Sequence, residues 1–316
     1  MLKRILFIAA FALCIVYAKR FCYRHTDGFA LNKILSNLSY HSEWEVPVST
    51  QENEVLSLID QPFHYLAKGA QSYVFVSEDG QTVVKFFRLY HLLPPLWIKM
   101  LHFPPKMQLF KLRKMLAKRE ELEKDFDSYL LAYQQMREET GLLYVHLNKT
   151  SHLKQKITLY DRLNIAHTLD LNTTGFLLQK RVDLVYPFLK EKIKSGNLQE
   201  AEEAISSLIN LFFWKYRHSI GDNDPLIRTN YGFLSGKAIQ IDVGPLSIDN
   251  SLTAKELQEN EARRTTASLK HWLEENCPEL IPFLDRELES QLSWKDEKTP
   301  DLPFCPSAAD RIATAD

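Results

Sequence analysis

Ile220-Gly-Asp-Asn-Asp-Pro-Leu-Ile-Arg-Thr-Asn-Tyr-Gly-Phe-Leu-Ser-Gly-Lys-Ala-Ile-Gln-Ile-Asp-Val-Gly244 brings Asp222, Asp224, Asn230 and Asp242 into one short stretch of the chain. Ile220 to Pro225 is an acidic loop with no apolar period. A hairpin follows, with Tyr231 to Leu234 and Ala238 to Ile241 as strands around the Ser235-Gly-Lys237 turn. Asn230 opens the first strand and Asp242 closes the second, so two oxygen donors twelve residues apart meet side by side across the hairpin. Such a pair can chelate Mg²⁺ together with phosphate oxygens. One loop earlier, Asp222 or Asp224 can accept a proton from a substrate hydroxyl or orient it.

A metal-phosphate site needs a cation, and the other half of the chain has one. Lys85 lies inside the apolar run Thr82-Val-Val-Lys-Phe-Phe87, where an unpaired charge would be costly, so something anionic is expected to face it. This run and Tyr73-Val-Phe-Val76 are β-like, and Glu78-Asp-Gly-Gln81 between them carries an Asp-Gly turn. Just upstream, Ala67, Gly69 and Ser72 are small enough to let backbone amides approach a phosphate chain. The expectation is that Lys85, Asn230 and Asp242 converge on one polyphosphate.

The remaining pattern is mixed. An amphipathic helix is predicted from near Gln108 to Gly141. Strand-like pieces follow at Leu142–Leu147, Ile157–Tyr160 and Gly175–Gln179. A long helix begins after Asn197, placed as its N-cap, and lines Ala201, Ile205, Leu208, Phe212 and Tyr216 along one face. Two further helices, Thr253 to about Glu275 and Pro278 to about Leu292, close the fold. The fold class is therefore α+β: a two-lobed chain with an antiparallel-sheet first lobe and a short, mainly helical second lobe. The divisions are 1–20 leader, 21–55 connector, 56–182 first lobe with an insertion at 89–112, 183–294 second lobe and 295–316 disordered tail.

The 39 basic and 40 acidic residues nearly cancel, so no global field attracts nucleic acid, which is not an expected partner. The 45% hydrophobic content excludes a wholly disordered chain. Four cysteines, Cys14, Cys22, Cys277 and Cys305, show no metal or disulfide spacing. Ile5 to Ala18 is apolar between Lys3-Arg4 and Lys19-Arg20. It suits a signal peptide or a membrane anchor, so the protein is expected to be exported or anchored. Between Trp97 and Arg119 there are seven Lys or Arg residues and no acid. Interleaved with Leu101, Phe103, Met107 and Phe110, they form a patch suited either to an anionic membrane surface or to an ordinary solvated helix face. His146, His152 and His167 are read as ordinary residues.

In its order of elements the sequence resembles the protein-kinase-like superfamily, including bacterial small-molecule kinases, across about 200 residues from Phe63 to Leu246. Ala67-x-Gly69-x-x-Ser72-x-Val74 resembles the glycine-rich loop with two of its glycines replaced, and Val83-Val84-Lys85 the third-strand lysine motif. Gly221-Asp222 is similar to the catalytic loop, Asn230 to its metal-binding asparagine and Asp242-Val243-Gly244 to the Asp-Phe-Gly motif. The resemblance implies ATP and Mg²⁺ as cofactors. It places Gly69, Ser72 and Lys85 on the nucleotide, Asn230 and Asp242 on the metal, and Asp222 or Asp224 on the acceptor. The implied activity is phosphoryl transfer to a hydroxyl, on a small molecule rather than a peptide, since only 72 residues follow Gly244.

The departures are specific. Ile220 replaces the usual histidine, and eight positions separate Asp222 from Asn230 where the family motif has five. Asp224, six positions before Asn230, is the other counterpart. Glu120, Glu121, Glu123 and Asp127 all qualify as the partner of Lys85. These changes motivate an alternative reading, an inactive pseudokinase serving as a nucleotide-binding or protein-interaction module.

Overall fold

The computed structural model describes residues 2–46, 52–88, 105–153, 155–244 and 246–293. Most of the 89–112 insertion, with Trp97, Lys99, Leu101 and Phe103, and the 295–316 tail lie outside the described residues. The chain divides into two compact units, residues 1–119 with 146–178 and residues 120–145 with 179–316. The expected α+β composition is observed, with sheet concentrated in the first unit and helix in the second.

The first unit opens with helix α1 (Leu2–Thr26), which takes in the apolar leader. Among the described residues no helix is long and apolar enough to cross a membrane. Residues 27–46, read from sequence as part of a connector, pack as an integral piece of this unit. Phe29 meets the rings of Tyr73 and Phe75 edge-on, each at 5.2 Å, and Ile34 and Trp44 are buried. The Ser36 N–H donates to the Thr173 carbonyl at 2.9 Å. These anchors are too widely spaced to produce a period, which is why the segment looks featureless in sequence.

Helix α2 (Glu52–Ser57) leads into β1 (Phe63–Lys68), β2 (Ser72–Ser77) and β3 (Thr82–Phe87), which pair antiparallel in the order of the chain. Strand β2 buries alternate residues, Tyr73, Phe75 and Ser77, as a half-buried pleat requires. The predicted turn is present: Gly80 has φ +72°, and the Asp79 carboxylate accepts the Gln81 amide at 2.9 Å.

Helix α3 (Pro105–Gln135) starts at a proline, where the missing N–H costs nothing. It breaks at Met136 before the short α4 (Arg137–Thr140), so the single helix expected to Gly141 is two pieces, ended by Gly141 at φ +63°. Strands β4 (Leu142–His146), β5 (Lys156–Tyr160), β6 (Ala166–Asp170) and β7 (Phe176–Lys180) complete a sheet of order β4-β7-β3-β2-β1-β5-β6. Strand β6 escaped the sequence reading, its residues being mostly exposed, and β1 pairs parallel with β5 whereas β1–β2, β2–β3 and β5–β6 pair antiparallel.

In the second unit β8 (Asp183–Leu184), α5 (Val185–Lys194) and α6 (Leu198–Arg217) come first. The predicted apolar face of α6 is buried, with Ala204, Leu208 and Phe212 at 1% exposure or less. Asn197 occupies the N-cap position but its side chain makes no cap hydrogen bond, contrary to expectation. Next are β9 (Ile220–Asp222), the single-turn α7 (Ile227–Asn230), β10 (Tyr231–Leu234), β11 (Lys237–Gln240) and β12 (Leu246–Ile248). The β10–β11 turn holds Ser235 at φ +50° and Gly236 at φ +82°, the double left-handed conformation favoured between two strands of a tight hairpin. Helices α8 (Lys255–Asn276) and α9 (Ile281–Ser293) close the unit, packing Leu269, Leu273, Leu284 and Leu288 against α6.

Candidate active site

The loop between α6 and β10 is organised around a buried ion pair. Lys215, in the last turn of α6, is 1% exposed among Phe212, Tyr216 and Tyr231. Its ammonium donates to Asp222 Oδ2 (3.1 Å), Tyr231 Oη (2.7 Å) and Gln240 Oε1 (2.9 Å), which uses all three N–H groups. Asp222 Oδ2 also accepts the Tyr231 hydroxyl (2.6 Å) and the Gln240 amide (2.8 Å), while Oδ1 accepts the Asp224 N–H (3.0 Å). Gln240 sends its second N–H to the Asp242 carbonyl at 3.0 Å. The network is closed, as burial of two charges demands.

Its electrostatics follow from this packing. Burial alone would raise the Asp222 carboxyl, but the Lys215 ammonium, the Tyr231 hydroxyl and the Asp224 amide outweigh it and hold Asp222 below the usual carboxylate range. Burial draws the Lys215 ammonium below the ordinary lysine value, with the Asp222 carboxylate opposing. Burial and the same carboxylate push the Tyr231 hydroxyl well above the ordinary tyrosine value.

Among the predicted residues, Asp222 is thus a buried member of this network, its side chain 4% exposed. Asp224 differs. Its carboxylate is exposed, while its backbone is held by side chains at both ends, the N–H by Asp222 and the carbonyl by Asn230 Nδ2 at 2.7 Å. The Asn230 side chain is buried, and its Oδ1 accepts the Thr229 hydroxyl at 2.8 Å, leaving one lone pair. The Asn230 carbonyl accepts the Ile241 N–H at 2.8 Å, so the backbone joins the two predicted metal donors across the hairpin. Asp242 is exposed, with Oδ1 taking the Gly244 N–H at 3.2 Å. This is a pair of hard oxygen donors, the type Mg²⁺ takes, and phosphate and water oxygens would have to complete it. Among the described residues no group of three or more His, Cys, Asp or Glu side chains can hold a metal ion.

Ser128 fastens the Asp242 loop to α3. Ser128 Oγ donates to the Val243 carbonyl and accepts the Leu246 N–H at 2.9 Å, all in buried surroundings.

In the first unit, Lys85 is half-buried on β3, opposite Val74 of β2. Several backbone groups of the β1–β2 loop that contains Gly69 and leads to Ser72 are held by the protein itself. The Gly69 N–H donates to the Ser72 carbonyl (2.9 Å), and Arg88 Nη1 donates to the carbonyls of Gly69 (2.9 Å) and Ala70 (3.0 Å). A Cβ added at Gly69 would meet only Ser72 atoms, at 3.5 Å and beyond, so the fold itself does not require glycine there.

Lys215, Tyr231 and Gln240 went unselected in the sequence reading. A signal was available: a lone lysine in the aromatic run Phe212-Phe-Trp-Lys-Tyr216 raises the same question of a buried partner as Lys85 does on its strand.

No family model matches the chain, and no curated protein matches it. Among solved structures it is similar to WbdD, a bifunctional kinase-methyltransferase, at 14% identity and TM-score 0.35, over 75% of this chain and 48% of that one. A second structure of WbdD gives 15% identity and TM-score 0.32. Rv3197 from Mycobacterium tuberculosis, in complex with erythromycin, gives 11% identity and TM-score 0.28, over 83% of this chain and 76% of that one. The chain spans about half the length of WbdD. Likenesses of this degree carry no argument about its chemistry, which must come from its own side chains.

Proposed function

We propose that the chain is a kinase-like phosphotransferase that moves a phosphoryl group from Mg-ATP to a hydroxyl acceptor, with Asp224 as the carboxylate that faces the acceptor. The observation that carries this choice is the contrast between two aspartates in one loop. Asp222 has its carboxylate engaged by four donors in a buried network, whereas Asp224 keeps an exposed carboxylate on a backbone pinned at both ends. A group that accepts a proton needs access and a fixed position, and Asp224 has both. Asn230 and Asp242 would hold Mg²⁺, which when bound neutralises charge on the phosphates. Lys85 supplies a further positive charge for the phosphate chain. As the acceptor oxygen bonds the terminal phosphorus and the bond to the departing ADP oxygen breaks, Asp224 takes the acceptor's hydroxyl proton.

The test compares Mg-ATP turnover by the full chain with that of Asp224→Asn, across a panel of small hydroxyl compounds. General-base loss predicts a fall of about 10²–10⁴-fold in kcat with nucleotide binding retained. An Asp224→Asn variant that turns over normally would remove Asp224 from this role.

A second reading, a nucleotide-binding or interaction module without turnover, is favoured by the β1–β2 loop. The Gly69 amide is committed to Ser72 and is not free to meet a phosphate, and Arg88 ties down two loop carbonyls. Binding of Mg-ATP with no turnover on any acceptor would favour it.

A further inference from the structure

In the first unit, helix α1 and the start of α3 leave apolar side chains exposed beside positive charge. Near the start of α3, Leu109, Leu112 and Leu116 are 56%, 52% and 49% exposed. Their i, i+3, i+7 spacing sets them in one stripe along the helix. Arg113 lies on the stripe's flank, and Lys114 Nζ stands 5.5 Å from the ring centroid of Phe110, itself 53% exposed. Residues 105–119 contain six Lys or Arg and no Asp or Glu. Helix α1 repeats the combination, with five Lys or Arg, no acid, and Phe7, Phe11, Leu13, Val16 and Tyr17 each more than half exposed.

We infer that these helices dock the protein on an anionic lipid bilayer. The choice of a bilayer over a protein partner comes from α1. Its exposed apolar residues point to all sides of the helix, and a single protein surface would cover one face and leave the rest wet, whereas immersion in lipid covers them all. The choice of anionic lipid comes from charge, since neither segment carries an acid that a phosphate-rich surface would repel. At α3 the geometry is that of an interfacial helix, with leucines entering the acyl boundary and Arg113 and Lys114 reaching the headgroups. This inference does not depend on the proposed phosphotransfer, and it leaves that site untouched.

Sedimentation of the full chain with vesicles tests it, using phosphatidylcholine alone and phosphatidylcholine mixed with phosphatidylglycerol. The full chain is expected to favour the mixed vesicles, with the preference shrinking as salt is raised. Replacing Arg113→Gln and Lys114→Gln together should weaken binding to mixed vesicles by about thirtyfold. Leu112→Ser with Leu116→Ser should weaken binding to both kinds of vesicle. All four positions avoid the packed core, so thermal stability and far-ultraviolet dichroism of the variants should match the parent. Binding to neither kind of vesicle, equal binding to both, or indifference to the α3 substitutions would each overturn the inference.

Discussion

Removing the Asp222 carboxylate would strand the Lys215 ammonium among aromatic rings, with two neutral oxygens left to solvate it. Breaking one side of a buried pair typically costs about 3–5 kcal/mol, whereas replacing both charges with apolar groups is often neutral. Asp222→Ala is therefore expected to unfold at much lower urea than the parent, and Lys215→Met with Asp222→Leu to recover only part of the loss, since the buried Tyr231 hydroxyl and Gln240 amide still lose partners. Equal stability of all three would show that the pair does not organise this loop. His146 gives a second residue-level test. Its Nδ1 lies 2.9 Å from the Thr174 carbonyl, and burial, against the help of that carbonyl, pushes the ring down to about 4. A free histidine titrates near 6.5, so the unfolded chain takes up the proton first. Stability is full above that value and is lost progressively as pH falls toward about 4. Urea titrations at about pH 7 and about pH 5 should differ by roughly 2 kcal/mol more for the parent than for His146→Phe. A matching pH dependence in both would assign the loss elsewhere. The sequence reading treated His146 as ordinary, because burial is a tertiary property that a lone histidine on a strand does not announce.

At the scale of elements, the hairpins were legible and the fastenings were not. Asp79-Gly80 and Ser235-Gly236 dictate backbone angles that few other pairs adopt, so both turns could be located from residue type alone. The strand register that places Asn230 beside Asp242 follows from the second of them. Ser128 could not be found this way, since one serine on a long helix has the same local signature whether or not it clips a distant loop. Ser128→Ala leaves a buried N–H and a buried carbonyl unpaired, and should cost about 2 kcal/mol. Hydrogen exchange at Leu246 should quicken accordingly; an unchanged rate would show that other contacts hold the Asp242 loop. The β1–β2 loop offers a sharper contrast. Because Gly69 has room for a methyl group, Gly69→Ala should leave the melting temperature alone, and any loss of nucleotide affinity would then report the loop's approach to phosphate. Gly232 has no such room, with an added Cβ 2.5 Å from the Asp183 carbonyl, so Gly232→Ala should be severely destabilising.

For the whole molecule, the α+β division into a sheet-rich and a helical unit was readable from the change of period along the chain, from two near Phe75 to nearly four along α6. The two compact units divide inside α3, inside β4 and inside β7, where the local pattern runs on without interruption. The sequence groups the candidate donors in one stretch and leaves the division of labour between Asp222 and Asp224 open. Spacing alone left Asp222 and Asp224 equivalent, and only the neighbours Lys215, Tyr231 and Gln240 separate an inward carboxylate from an exposed one. Lys85 belongs to the first unit and Asp242 to the second, so a joint role in holding one nucleotide is a question for binding. Calorimetric titration of Mg-ATP into the full chain, and into Lys85→Ala and Asp242→Ala, answers it. The expected result is saturable, Mg²⁺-dependent binding by the parent and at least about tenfold weaker binding by each variant. An absence of binding by the parent, or unchanged affinity in both variants, would contradict it.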